Sequence, residues 1–125
     1  MLRITVTNDE ECEQCPIRTL IVPLTGKWRP LILFSLEDGS QRFSEIRRLI
    51  GDITQRVLTE NLRQLERDGY LTRHVKERRT IEVHYEITSR GIDAISYLKP
   101  LVHWAADSLP DVKDSRRDYD ERQAS

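Results

Sequence analysis

The sequence predicts a mainly helical α+β fold in which a two-stranded hairpin separates several short helices from one longer terminal helix. Three observations carry that expectation. Apolar residues recur at helical spacing as far as Gly69, alternate with polar ones from Leu71 to Ile87, and return to helical spacing beyond Ser89. Gly26, Gly39, Gly51 and Gly69 cut the first part into short pieces. A chain of 125 residues, 38% hydrophobic and 33% charged, suits one core with flanking arms and excludes two full domains.

Leu2, Ile4 and Val6 alternate with polar residues ahead of the acidic stretch Asp9 to Glu13, so residues 1–14 read as an arm outside the core. Pro16 suits the start of a first helix with Ile17, Leu20, Ile21 and Leu24 on one side and Gly26 as its stop. A second helix is expected from Lys27 to Gly39, with Pro30 in its first turn. Leu31, Ile32, Leu33 and Phe34 make it apolar nearly all round, hence central. Ser44 is the expected cap of a short third helix whose inward side is Ile46, Leu49 and Ile50. After a turn at Gly51 and Asp52, Thr54 caps a fourth helix with Leu58, Leu62 and Leu65 inward and Gly69 closing it. Two short helices around a glycine turn form the helix-turn-helix pattern.

Leu71, Arg73 and Val75, then Ile81, Val83, Tyr85 and Ile87, mark two strands joined by a flexible charged tip, Lys76 to Thr80. Thr88 or Ser89 caps a last helix that reaches Ala106 and bends at Pro100. Its expected inner side is Ile92, Ile95, Leu98, Val102 and Ala105; Ala94, Tyr97, Leu101 and Trp104 widen the apolar face beyond what one small domain covers. The domain is therefore drawn over residues 15–106, with 107–125 as a charged, flexible tail. Helices plus wing make this a winged helix-turn-helix, paired as a homodimer through its terminal helices.

Charge and cysteine content narrow the function. The net charge is -1, yet Arg42 to Arg90 holds 11 Lys+Arg against 8 Asp+Glu, a balance of +3, leaving -4 for the remainder. The middle of the chain thus permits phosphate binding. No apolar run is long enough to cross a bilayer, and Met1 to Glu11 lacks the features of an export signal, so a cytoplasmic location is expected. Paired catalytic carboxylates, a nucleophile elbow and a phosphate loop are all missing, which argues against an enzyme and implies no cofactor.

With the leucines of the fourth helix inward, Arg56, Thr59, Glu60, Arg63 and Arg67 point outward. In a helix-turn-helix the second helix enters the major groove, and its first half meets base edges. Gln55, Arg56, Thr59 and Glu60 fall there and suit adenine, guanine, a thymine methyl and cytosine respectively. Ser44, Arg47, Arg48, Arg63 and the Thr54 end of the helix are expected on phosphates, and Lys76, Arg78 and Arg79 at the tip on an adjacent minor groove or backbone. The expected partner is double-stranded DNA with a near-palindromic operator.

The series Cys15-Pro16, Gly26-Lys27-Trp28, Arg42-Phe43-Ser44-Glu45-Ile46-Arg47-Arg48, Val57-Leu58-Thr59, Leu62 to Tyr70 and Tyr85-Glu86-Ile87-Thr88 resembles the HxlR-type winged helix-turn-helix family. The resemblance runs from about Cys15 to Ala106. It implies a dimeric bacterial regulator, often answering oxidants, electrophiles or aldehydes through the cysteine before the proline, here Cys15. Many members carry prolines before the second strand of the wing, whereas Glu77 to Glu82 has none.

Cys15 at a helix start gains from the helix dipole, while Glu10, Glu11 and Glu13 oppose a thiolate; a sensor and a quiet thiol both stay open. Cys12 and Cys15 have C-x-x-C spacing, suited to a local disulfide, but the scattered His74, His84 and His103 make a poor zinc set, so no metal is assigned. Dimer contacts are expected from Ile17, Leu20, Ile21, Leu24, Tyr97, Leu101 and Trp104. The alternatives are a winged-helix module that binds protein, and a C-x-x-C thiol redox protein, whose usual strand-helix-strand setting is missing.

Overall fold

The computed structural model describes residues 13–77 and 79–124. The extended segment expected at Leu2 to Val6, together with Cys12 and Arg78, lies outside them. The first helix, α1, is a π-helical turn, Ile17–Ile21, that runs into α-helical Val22–Leu24. Pro23 has no N–H to return to this turn, and just before it Val22 N–H reaches Ile17 O. Leu24 is buried in the chain's own core, while Leu20 and Ile21 stand exposed.

Helix α2, Arg29–Ser35, is shorter than the expected span: Pro30 sits in its first turn and two tight turns carry the chain on to Gly39. Ile32, Leu33 and Leu36 are fully buried, but Leu31 is half exposed, so the helix is not enclosed all round within this chain. Strand β1, Gln41–Arg42, was not expected; it pairs antiparallel with β3, Ile81–Ile87, placing Arg42 opposite His84.

Helix α3 is Phe43–Ile50 and α4 is Gln55–Arg67. Arg42, not Ser44, occupies the cap of α3: its backbone N–H donates to Glu45 Oε1 at 3.1 Å, and Ser44 falls inside the first turn. Pairing in β1 pins Arg42 in extended backbone, which decides where the helix starts. Ile46 is buried, whereas Leu49 is exposed. At α4 the expectation and the structure agree. Thr54 Oγ1 accepts from Val57 N–H at 3.2 Å, and Leu58, Leu62 and Leu65 are buried. Beyond Asp68, Gly69 adopts φ +84; its N–H donates to Glu66 O and that of Tyr70 to Leu65 O, a Schellman closure.

Strand β2, Leu71–Glu77, completes a sheet of order β1-β3-β2. Leu71 faces Ile87, Arg73 faces Tyr85 and Val75 faces Val83, so the alternating residues of the two strands pair with one another. The ladder continues to Lys76 opposite Glu82 and Glu77 opposite Ile81, so these two belong to the strand and the tip is shorter than expected.

Helix α5, Ser89–Ala124, begins at Thr88, whose Oγ1 accepts from Gly91 N–H and donates to Gly69 O. It does not end at Ala106, where the last helix was expected to stop: residues 107–124 continue it. That stretch contains no glycine, and Arg117 pairs with Asp114 at 2.6 Å one turn away. Gly91, Ile95 and Leu98 form its buried row, while Ile92, Val102 and Ala105, expected inward, are exposed. The chain falls into two compact units, one up to Ile92 and one from Asp93.

Candidate nucleic-acid interface

The exposed side of α4 follows from its buried one. With Leu58, Leu62 and Leu65 in the core, Gln55, Arg56, Glu60 and Arg63 are exposed and Thr59 is half buried. Together with Gln64 they line one open groove. A second groove is lined by Phe43, Ser44, Arg47, Arg48, Gly51 and Gln55, so Gln55 joins the outer face of α3 to that of α4. A third, lined by Thr59, Leu62, Arg63, Glu66, Arg73 and Tyr85, carries the surface onto the sheet. Arg47, Arg48, Arg56, Arg63 and Arg73 outnumber Glu60 and Glu66 along this tract, so the local field is cationic despite the chain's net charge of -1.

Hydrogen bonding sets which groups stay available. Thr59 Oγ1 donates to Gln55 O at 2.8 Å within the helix, leaving its methyl as the free contact. Arg47 Nε donates to Ile53 O at 3.1 Å, so this guanidinium braces the turn between α3 and α4. Arg29 Nε reaches Asn61 Oδ1 at 3.4 Å, and Asn61 Nδ2 donates to Val57 O, tying α2 to the middle of α4. Sequence reasoning missed Arg29, Asn61 and Arg73. Arg73 did carry a signal: it is the one charged residue at an otherwise apolar beat of Leu71-x-Arg73-x-Val75.

Lys76 and Arg79 are exposed at the end of the wing and share none of these grooves. On the wing's other face His74 stands opposite His84; His74 Nε2 lies 3.4 Å from Glu86 Oε2 and His84 Nε2 lies 3.3 Å from Glu82 Oε2. The hydrogen bond from His84, then the charge of Arg42, hold the Glu82 carboxyl below the ordinary glutamate range. No set of three His, Cys, Asp or Glu side chains is arranged to hold a metal among the described residues. Tyr70, capping the closure of α4, is pushed above the usual tyrosine range by burial and then by Asp68.

Cys15 is a free, buried thiol ahead of α1, and its carbonyl accepts Thr19 N–H at 2.9 Å. On α5, Tyr97, Leu101 and Trp104 are all exposed, Tyr97 at 74%. No described helix is long and apolar enough to cross a membrane.

Comparison with known proteins places this geometry. Residues 23–113 match the family model for HxlR-like helix-turn-helix proteins. The HTH-type transcriptional regulator YtfH of Escherichia coli (strain K12) is 37% identical over 100 residues, covering 80% of this chain and 79% of its own length. YdeP of Bacillus subtilis (strain 168), likewise an HTH-type transcriptional regulator, is 42% identical over 84 residues, 67% of this chain and 66% of that protein. Among solved structures, the transcriptional regulator ytfH from Salmonella typhimurium superposes with a TM-score of 0.74 at 33% identity, over 89% of this chain and 99% of that one. The redox regulator HypR in its oxidized form gives 0.69 at 33% identity, over 74% and 96%.

Proposed function

The chain belongs to the HxlR-like helix-turn-helix family of transcriptional regulators, and from that premise we propose that it represses transcription by seating α4 in the major groove of an operator. The observation that carries this reading is the run of grooves sharing Gln55, Thr59 and Arg63, in which Gln55, Arg56, Thr59 and Glu60 lie at the start of α4 with arginines on both flanks. Arg56 donates to guanine, Gln55 pairs with adenine, the Thr59 methyl meets thymine and Glu60 accepts from cytosine. Ser44, Arg47, Arg48, Arg63 and the Thr54 end of α4 take phosphates, with Lys76, Arg78 and Arg79 reaching the neighbouring backbone or minor groove.

Two copies pair through Leu20, Ile21, Tyr97, Leu101 and Trp104, whose exposure leaves apolar surface uncovered. Ile17 and Leu24 belong to the same first helix as Leu20 and Ile21, but Leu24 is buried in the chain's own core and so does not reach the partner. The operator then has half-sites about 10 bp apart. The protein works in the cytoplasm without catalysis, and oxidation or alkylation of Cys15, with Cys12 as a partner thiol, changes the spacing of the two recognition helices across the dimer. The support for that last step is the burial of Cys15: a thiol in the core cannot take on oxygen or a bulky adduct without shifting α1.

Titration of duplex DNA at two salt concentrations tests the reading. Binding that weakens steeply with salt and favours the chain's own promoter supports it. Salt-insensitive or absent binding refutes it in favour of a protein-binding winged helix. A Cys15→Ser variant that keeps both DNA affinity and its response to diamide removes the redox part.

A further inference from the structure

The turn between α3 and α4 is braced by the side chain of Arg47, which reaches across it to Ile53. Arg47 accepts Gly51 N–H on its backbone carbonyl at 2.9 Å and donates its side-chain Nε to Ile53 O at 3.1 Å. Gly51 takes φ +98, a conformation that glycine reaches without strain and that lets the chain turn sharply from α3 towards Ile53. Ile53 is 2% exposed, which fixes the far end of this brace in the core. The next residue, Thr54, caps α4, and Gln55 and Arg56 follow directly. The same guanidinium also lines the groove that contains Ser44, Arg48 and Gln55.

We propose that Arg47 is a positioning residue for sequence reading: it sets the height and angle at which the first turn of α4 presents Gln55 and Arg56, and it couples that setting to a phosphate. Nε is spent on the turn, and the two terminal nitrogens remain for the backbone of the DNA. An arginine fork can serve both sides at once; a lysine ammonium supplies charge but no Nε–H at that place. The inference rests on the DNA-binding reading above and adds that discrimination between sequences depends on a side chain that touches no base.

The test compares Arg47→Lys with Arg48→Lys. Both keep the charge, and Arg48 makes no bond to the turn. One probe is the duplex that the unaltered protein selects from a randomised pool; the other is a mixed-sequence duplex of equal length. Arg47→Lys is expected to lose about tenfold more on the selected duplex than on the mixed-sequence one, with the salt slope kept because the charge is kept. Arg48→Lys is expected to leave the ratio between the probes alone. Hydrogen exchange at Val57 N–H, bonded to Thr54 Oγ1, is expected to quicken in Arg47→Lys only, with the melting curve retained. Equal losses on both probes, or an unchanged ratio with unchanged exchange, overturn the proposal. An unaltered protein that selects no duplex refutes the DNA-binding reading itself, a result distinct from either.

Discussion

Gly91→Ala tests whether close backbone approach, not helix propensity, governs the start of α5. Gly91 is buried, its N–H donates to Thr88 Oγ1 at 3.2 Å, and Thr88 in turn donates to Gly69 O, so this glycine sits in the bonds that join residues 88–91 to the closure of α4. A Cβ added there lies 2.5 Å from Ile87 Cγ1 and closer still to Tyr70 O. The carbonyl belongs to backbone that also accepts Thr88 N–H, so it cannot swing aside without breaking that bond. Alanine gains at most about 1 kcal/mol of helix propensity, while overpacking of this kind costs about 3 kcal/mol. The net loss of about 2 kcal/mol lowers Tm by roughly 8 °C for a chain of this size. Urea unfolding followed by far-ultraviolet circular dichroism at fixed protein concentration measures it, with Gly26→Ala as the control. At Gly26 the nearest atom to an added Cβ is Pro23 O at 3.5 Å, an ordinary contact, and the midpoint should scarcely move. A Gly91→Ala midpoint at or above that of the unaltered protein would refute the reasoning.

Thr54→Ala should cost about 1 kcal/mol by unfolding Val57 N–H from its cap, with Thr54→Ser retaining most of the stability; equal losses in both would show that the hydroxyl is not the cause. Leu62→Ala empties a site that is 1% exposed in the core behind α4 and should lower urea stability by about 3 kcal/mol, whereas a change under about 1 kcal/mol would mean that the core refills. Carbon-13 NMR titration should find the Glu82 carboxyl below the ordinary range and moving up towards it in His84→Ala. Because its folded value is depressed, the stabilising contribution is present at neutral pH and is lost as pH falls through that value; an unchanged titration in His84→Ala counts against the bond. Leu101→Asp should turn a sedimenting dimer into monomer at micromolar concentration while helical content is kept, and a dimer that persists would move the contact elsewhere.

What could be read from the chain alone follows from how local each signal is. The limits of α4 were legible because a threonine cap, leucines at turn spacing and a left-handed glycine act within a few residues of one another. The two strands of the hairpin were legible for the same kind of reason: a period of two is itself local, whereas their register is set by the ladder between them. The helical extension of α5 was missed because Pro110 and dense charge imitate a solvated tail, while the Asp114 to Arg117 pairing that favours helix is a weak signal in a list of residues.

Other features were decided only by tertiary structure. Two residues, Gln41 and Arg42, have no periodicity of their own and become a strand because β3 offers its edge; that pairing then moves the cap of α3 from Ser44 to Arg42. Leu49 and Leu31 look as apolar as their buried neighbours, yet which side of a short helix is covered depends on what packs against it. The sequence by itself determined that a polar, arginine-rich side of α4 must face outward once its leucines turn in. Only the folded chain decided that Arg47 would grip Ile53 and that Arg73 would join the surface of α4, because hydrogen bonds and grooves between separate elements depend on distances that chain order does not contain.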